Sequence, residues 1–200
     1  MKLPLFPLNS IIFPGGVLPL RIFEPRYLDM VKDCVREESE FVICLIKDGI
    51  ETSSSAKHQA IGTACRIIDW ETLPDGLLGI TAQGMSRVEI SGSDVQPNQL
   101  LVGDISYISE NEDQSLPSKY GEWAHLISVI IGELGKPFSD QQQQLDSAQW
   151  VGARLTEYLP FELEQKQRIL EMDHPIIRLE HLQDVLKDIE EYYSQGNFNY

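Results

Sequence analysis

The stretch Leu18-Pro19-Leu20-Arg21-Ile22-Phe23-Glu24-Pro25-Arg26-Tyr27 carries extended chain into a helix. Up to Phe23 it reads as a strand. Pro25 then suits a first helical position, where its missing N–H and fixed φ cost nothing. Glu24 beside it sets a carboxylate against the unpaired N–H groups and the positive end of the helix dipole. Downstream, Tyr27, Met30, Val31, Cys34 and Val35 recur at the spacing of one apolar helical face. That face requires a sheet to pack on, and the sheet precedes it.

Together with Leu3-Pro4-Leu5-Phe6-Pro7-Leu8 through Phe13-Pro14-Gly15-Gly16, this stretch resembles the LON domain. That is the N-terminal substrate-binding domain of ATP-dependent Lon proteases, which also occurs alone in small bacterial proteins and within cereblon. The resemblance to the stand-alone bacterial type continues in Ile61-Gly62-Thr63-Ala64, in Leu73-Pro74-Asp75-Gly76, and in Leu159-Pro160 followed by Lys166-Gln167. It covers nearly the whole chain. It implies a pseudobarrel of the PUA-like type and a binding module rather than an enzyme, and it does not name the ligand.

A chain of 200 residues can bury a good core, as one domain or two compact subdomains. Its 42% apolar and 24% charged residues are ordinary for a soluble globular protein. The net charge of −15 is less ordinary: residues 1–108 carry 9 basic and 14 acidic side chains, residues 109–200 carry 7 and 17. Such a field repels phosphate backbones, which argues against nucleic acid and anionic membranes as partners. Cys34, Cys44 and Cys65 are odd in number with no close pairing, and read as core residues in a reducing cytoplasm. Pro4 and Pro7 interrupt the short apolar N-terminal segment, so no secretion signal is read there. No apolar run approaches the ~20 residues that span a bilayer, and the expected location is the cytoplasm.

Residues 3–8 and 17–23 read as strands joined through Ile11-Ile12-Phe13 and a turn at Pro14-Gly15-Gly16. The run 41–46 is continuously apolar, a strand buried on both faces, and polar residues 51–58 read as an exposed loop. Further strands are expected at 60–69, 77–83, 86–91 and 101–109, with turns at Pro74-Asp75-Gly76, Gly84 and Pro97-Asn98. Many short strands around one helix point to a closed or nearly closed barrel. Polar, acidic residues 109–115 and then Pro117 mark a boundary. Beyond it, Tyr120, Trp123, Ile127, Ile130 and Leu134 predict a helix capped by Ser118 and stopped at Gly135-Lys136-Pro137. Trp150, Val151, Leu155, Tyr158 and Leu159 mark the next, which Pro160 ends. Leu163, Ile169 and Leu170 mark a third, with Glu162 and Lys166, and Glu164 and Arg168, spaced as i,i+4 ion pairs. Leu179, Leu182, Leu186, Ile189 and Tyr193 follow Asp173-His174-Pro175 as a fourth. The expected fold is α+β: an N-terminal PUA-like β-pseudobarrel with one packed helix over 1–110, a linker at 111–117, a C-terminal α-helical bundle over 118–193, and a loose tail over 194–200 in which Phe198 and Tyr200 could dock.

Gly135-Lys136 is followed by proline and lacks the upstream glycine of a phosphate-binding loop, and no GxGxxG, GxSxG or HExxH pattern occurs. The ATPase and Ser-Lys peptidase of full-length Lon are therefore missing from this sequence. His58, His125, His174 and His181 show no ligand spacing, so neither a metal nor another cofactor is expected.

Two groups of residues remain as candidates. Arg21, Glu24 and Arg26 either line a cleft that reads a partner's backbone or carboxyl groups, or fasten the corner formed by Glu24, Pro25 and Tyr27 through an ion pair. Phe13 and Trp70, the latter followed by Leu73, either form an exposed patch that takes up unfolded segments or tuck inward to close an end of the barrel. The resemblance implies unfolded polypeptide or peptide segments as ligands, in partnership with a protease or chaperone system. The rivals are an enzyme with a scattered constellation, an RNA-binding PUA-like module, and a scaffold acting through the last helix. Oligomeric state is open at this level.

Overall fold

The computed structural model describes residues 1–48 and 57–194, with side chains for 1–47 and 57–187. In chain order the elements are β1 (Lys2–Leu8), β2 (Val17–Ile22), α1 (Pro25–Glu37), β3 (Phe41–Asp48), β4 (Lys57–Thr72), β5 (Leu78–Val95), β6 (Leu101–Tyr107), α2 (Gly121–Leu134), α3 (Ala148–Tyr158), α4 (Leu163–Glu171) and α5 (Pro175–Ser194). The fold is α+β, with a mixed six-stranded sheet in the order β2-β5-β4-β3-β1-β6. β6 also pairs back onto β5, so five strands close into a ring and β2 hangs from the first part of β5.

β1 and β3 run parallel, Leu5 opposite Val42 through Leu8 opposite Leu45. A parallel pair needs a crossover, and β2 with α1 supplies it. Both strands are buried on both faces, which explains the continuous apolar run of β3. Leu3, Leu5, Val42 and Cys44 point into the ring with Ala64, Val88 and Ile105. Phe6, Phe41 and Ile43 point the other way, onto Tyr27, Met30 and Cys34 of α1, where the Phe6 and Tyr27 rings stack at 4.0 Å. The three cysteines are free and buried in these cores, and burial pushes the thiols of Cys44 and Cys65 up.

Several local expectations change. Gly84 is not a turn: β5 runs through it without a break. A Cβ there would lie 2.2 Å from the Phe13 carbonyl oxygen, so glycine serves close approach of the Phe13–Gly16 turn. Gly15 N–H donates to the Gly84 carbonyl at 2.8 Å, and Gly84 N–H donates to Gly16 at 2.9 Å. Lys57 and His58 belong to β4, while 51–56 lie outside the described residues, as do the side chains of Ile189 and Tyr193 and the tail with Phe198 and Tyr200. Ser118 starts a short 3-10 turn ahead of α2 and does not cap that helix with its side chain. Ser147 does cap α3, accepting from Trp150 N–H at 2.8 Å. The expected i,i+4 pairs on α4 are absent among the described residues: Glu162 forms a capping box with Gln165, and Lys166 turns to the Glu157 carbonyl at 2.7 Å.

The helices α2 to α5 share a core with the strand region. Ile127, Val151, Leu155, Ile169 and Leu182 cluster with Ile11, Phe13 and Leu45. Two buried arginines reinforce this joint. From α3, Arg154 donates to the Pro14 carbonyl at 3.2 Å and to Glu157 Oε1 at 3.1 Å, and Glu157 Oε1 accepts from Phe13 N–H at 2.7 Å. Burial pushes the Glu157 carboxyl up to about 6 despite that company. From β5, Arg87 donates to the Leu170 and Met172 carbonyls at 3.0 and 3.2 Å, to Glu110 at 2.8 Å and to Asp173 at 2.9 Å. Its guanidinium thereby caps the C-terminal end of α4.

Candidate functional site

The corner after β2 is fastened by its own charges. Pro25 opens α1, and Glu24 takes the N-cap position without a side-chain cap bond. Its carboxylate goes instead to Arg26, 2.8 Å away. Arg26 is buried: it also donates to the Gln99 carbonyl at 3.1 Å, and its guanidinium lies 4.6 Å from the Tyr27 ring centroid. Arg21 takes no part in this cluster. It is exposed and pairs with Asp75 at the tip of the β4–β5 hairpin.

β2 is the open edge of the sheet, since its only partner among the described strands is β5. Gly84 N–H bonds to Gly16, and the register then runs Val17 opposite Gln83 to Ile22 opposite Leu78. Alternation makes residues 18, 20 and 22 face β5 and turns the backbone groups of 17, 19 and 21 outward. Pro19 thus occupies a position whose N–H the ladder does not need.

Depressions adjoin this edge on both sides. One, of about 360 Å³, lies between β2 and the end of β1, walled by Phe6, Leu8, Leu18, Leu20, Phe23 and Tyr27. A second, of about 300 Å³, shares Pro19, Leu20 and Arg21 with the first and reaches Trp70, Leu73 and Pro137. A third, of about 320 Å³, continues from Trp70 to Val35 of α1 and Ile67. Phe23 and Trp70 stand at the rims with 59% and 57% of their surface in solvent, and Ile68 is also exposed. The two depressions that share β2 are lined mainly by apolar side chains, in a chain of −15 net charge. Among the described residues, no group of three or more His, Cys, Asp or Glu is placed to hold a metal ion. No helix among them is long and apolar enough to cross a membrane.

Of the sequence candidates, the structure brings Arg21, Trp70 and Leu73 around one depression. Phe13 is elsewhere: its ring is fully buried in the core shared with the helices, with the Arg178 guanidinium 5.6 Å from its centroid. It is a packing residue, because the Phe13–Gly16 turn folds under α3 instead of standing free. Arg26 is likewise enclosed by its partners. Sequence reasoning passed over Phe23, which directly follows β2 and stands exposed at the rim of the same depression as Leu18 and Leu20.

Comparisons with known proteins agree with this architecture. The model of the ATP-dependent protease La (LON) substrate-binding domain family matches residues 2–188. The crystal structure of a Lon N-terminal domain protein from Xanthomonas campestris is 38% identical, with a TM-score of 0.74 over 92% of this chain and 98% of that one. The N-terminal domain of Mycobacterium avium complex Lon protease, 14% identical, shares the fold with a TM-score of 0.61 over 92% of this chain and 97% of that one. Lon protease 1 of Hydrogenovibrio crunogenus is 24% identical over 192 residues, which is 91% of this chain but 23% of that protein. The chain thus spans about a quarter of the length of such curated relatives. It belongs to the ATP-dependent protease La (LON) substrate-binding domain family.

Proposed function

We propose that this protein is a non-catalytic recognition module that binds unfolded segments of other polypeptides and works with a Lon-type or other protein-quality-control system. The observation that carries this reading is the pair of largely apolar depressions that meet along β2, rimmed by exposed Phe23 and Trp70. Folded proteins bury such side chains, so a surface that offers them partners selects chains that have not buried theirs. In this reading the pseudobarrel of 1–110 carries the site in the cytoplasm, and a helical bundle over 118–193 braces it from behind through the Phe13 and Arg87 contacts.

The test is an anisotropy titration against a labelled, permanently unfolded polypeptide, with its folded counterpart and a single-stranded RNA as controls. The expected result is selective binding to the unfolded chain, weakened about tenfold by Phe23→Ser with Trp70→Ala, a loss in the range of hot-spot aromatics. Both side chains are exposed, so the double variant is expected to melt with the wild type. Equal affinity for the folded control, or undiminished binding by the folded double variant, removes this site.

A further inference from the structure

Resting on that reading, we propose that the bound segment is captured by strand addition: an extended chain pairs with the outer edge of β2, its side chains alternately apolar and basic.

Three observations converge on this mode. First, the exposed part of the edge turns the carbonyl of Pro19 and both the amide and carbonyl of Arg21 to the open side, as the register with β5 requires. A residue opposite Arg21 exchanges two backbone hydrogen bonds with it, and the residue two positions along, opposite Pro19, donates a third to the Pro19 carbonyl. Second, the 360 Å³ and 300 Å³ depressions meet along Pro19, Leu20 and Arg21, one on the β1 side and one on the outer sheet face. Successive side chains of an added strand point to opposite faces, so residues p and p+2 enter the groove walled by Phe6, Leu8 and Tyr27 while residue p+1 lies over the outer face. A helical or globular occupant has no use for two depressions on opposite sides of one strand.

Third, the outer face has a sign. Cross-strand partners share a face, and there Pro19, Thr81 and Asp69 stand in one row and Arg21, Gly79 and Glu71 in the next. Arg21 is neutralised by Asp75, whereas neither Asp69 nor Glu71 has an ion-pair partner among the described residues. An added strand runs within roughly 15 Å of both carboxylates, three strand spacings away. The p+1 side chain that this field favours is lysine or arginine. A second copy of this chain is the poorer occupant: Pro19 removes the central outward donor, so two-fold pairing of β2 with β2 loses its middle bonds.

The experiment uses the full chain and a labelled seven-residue peptide of alternating leucine and lysine. Arg21→Ala keeps the outward amide and removes only the side chain, and is expected to weaken binding by no more than about threefold. Arg21→Pro removes that amide without touching the ladder to β5, and is expected to weaken binding by about a further tenfold. Selective N-methylation of the peptide amides that face β2 makes the matching loss against the wild-type protein, which keeps the test decisive if Arg21→Pro does not fold. Replacing lysine by glutamate, or grouping the leucines together, is expected to weaken binding about tenfold at low salt. Equal binding by the proline and alanine variants together with indifference to N-methylation overturns strand addition while leaving recognition of unfolded chain intact. Failure of the wild-type protein to bind any unfolded polypeptide overturns both. A concentration-dependent dimer that Arg21→Pro dissolves assigns the edge to a second copy and overturns the peptide proposal.

Discussion

Replacing Arg87 by methionine tests the idea that one guanidinium locks the helical part to the strand ring. Arg87 is 1% exposed and makes four hydrogen bonds, two to backbone carbonyls and two to carboxylates. Burial alone would lower its pKa, yet Glu110 and Asp173 outweigh that and hold the charge in place. Methionine keeps most of the stem, so the loss is polar. Glu110 and Asp173 reach solvent and regain hydration, and their pairs deserve little weight. The Met172 carbonyl keeps a bond from Arg178 at 2.7 Å. The Leu170 carbonyl is left buried without its donor, at about 1–3 kcal/mol, and the vacated guanidinium site leaves poorly packed space. A total near 3 kcal/mol corresponds to a Tm fall of about 6–12 °C for a chain of this size. Lysine, a point charge without the fork that spans both carbonyls and both carboxylates, is expected to recover less than half of the loss. Differential scanning calorimetry of wild type, Arg87→Met and Arg87→Lys decides it. A Tm for Arg87→Met within about 2 °C of wild type refutes the clamp.

Gly84→Ala forces a Cβ onto the Phe13 carbonyl oxygen, a backbone atom that cannot swing aside; a stability loss of about 3 kcal/mol or insoluble expression is expected, checked by urea unfolding, and a neutral substitution contradicts the close approach. Glu157 has a folded pKa raised from 4.5 to about 6 by burial, against the opposing pull of Arg154, Phe13 N–H and Lys166. Between those two values the folded state holds more of the proton than the unfolded state, so this carboxyl makes the protein less stable as pH rises through the window. Glu157→Gln removes that slope, and its stability relative to wild type is therefore expected to improve by about 1.3 kcal/mol from pH 4.5 to pH 6, read from paired urea melts; a constant difference across that window rejects the assignment.

Period and punctuation made much of the fold legible. The strand-to-helix corner, the doubly buried β3 and the apolar face of α1 each announce themselves within a dozen residues. What stayed hidden depends on distant partners. A glycine between two apolar runs looks like a hairpin, and only the Phe13–Gly16 turn lying across β5 shows why Gly84 has no side chain. A lone arginine in a strand looks like a solvated face, but the carbonyl that Arg87 caps is 83 positions further along the chain. Arg154 and Glu157 sit three apart on a helix, as an ordinary surface pair does, and only the third dimension buries them.

The candidate site divides along the same line. Arg21, Trp70 and Leu73 were visible as charge and loop aromatics near turns, and the structure gathers them; Phe13 carried the same local signature and lies inside. The difference is set by closure of the ring. Because β6 pairs with the second part of β5, the first part is left to β2, and β2 is left without an outer neighbour among the described strands. Closure therefore creates the open edge, and helices packed on the Phe13 side bury what would otherwise have been a second apolar patch. At Pro19 local and global meanings coincide: it belongs at an edge by its chemistry, and the edge it occupies is the one the described strands leave open.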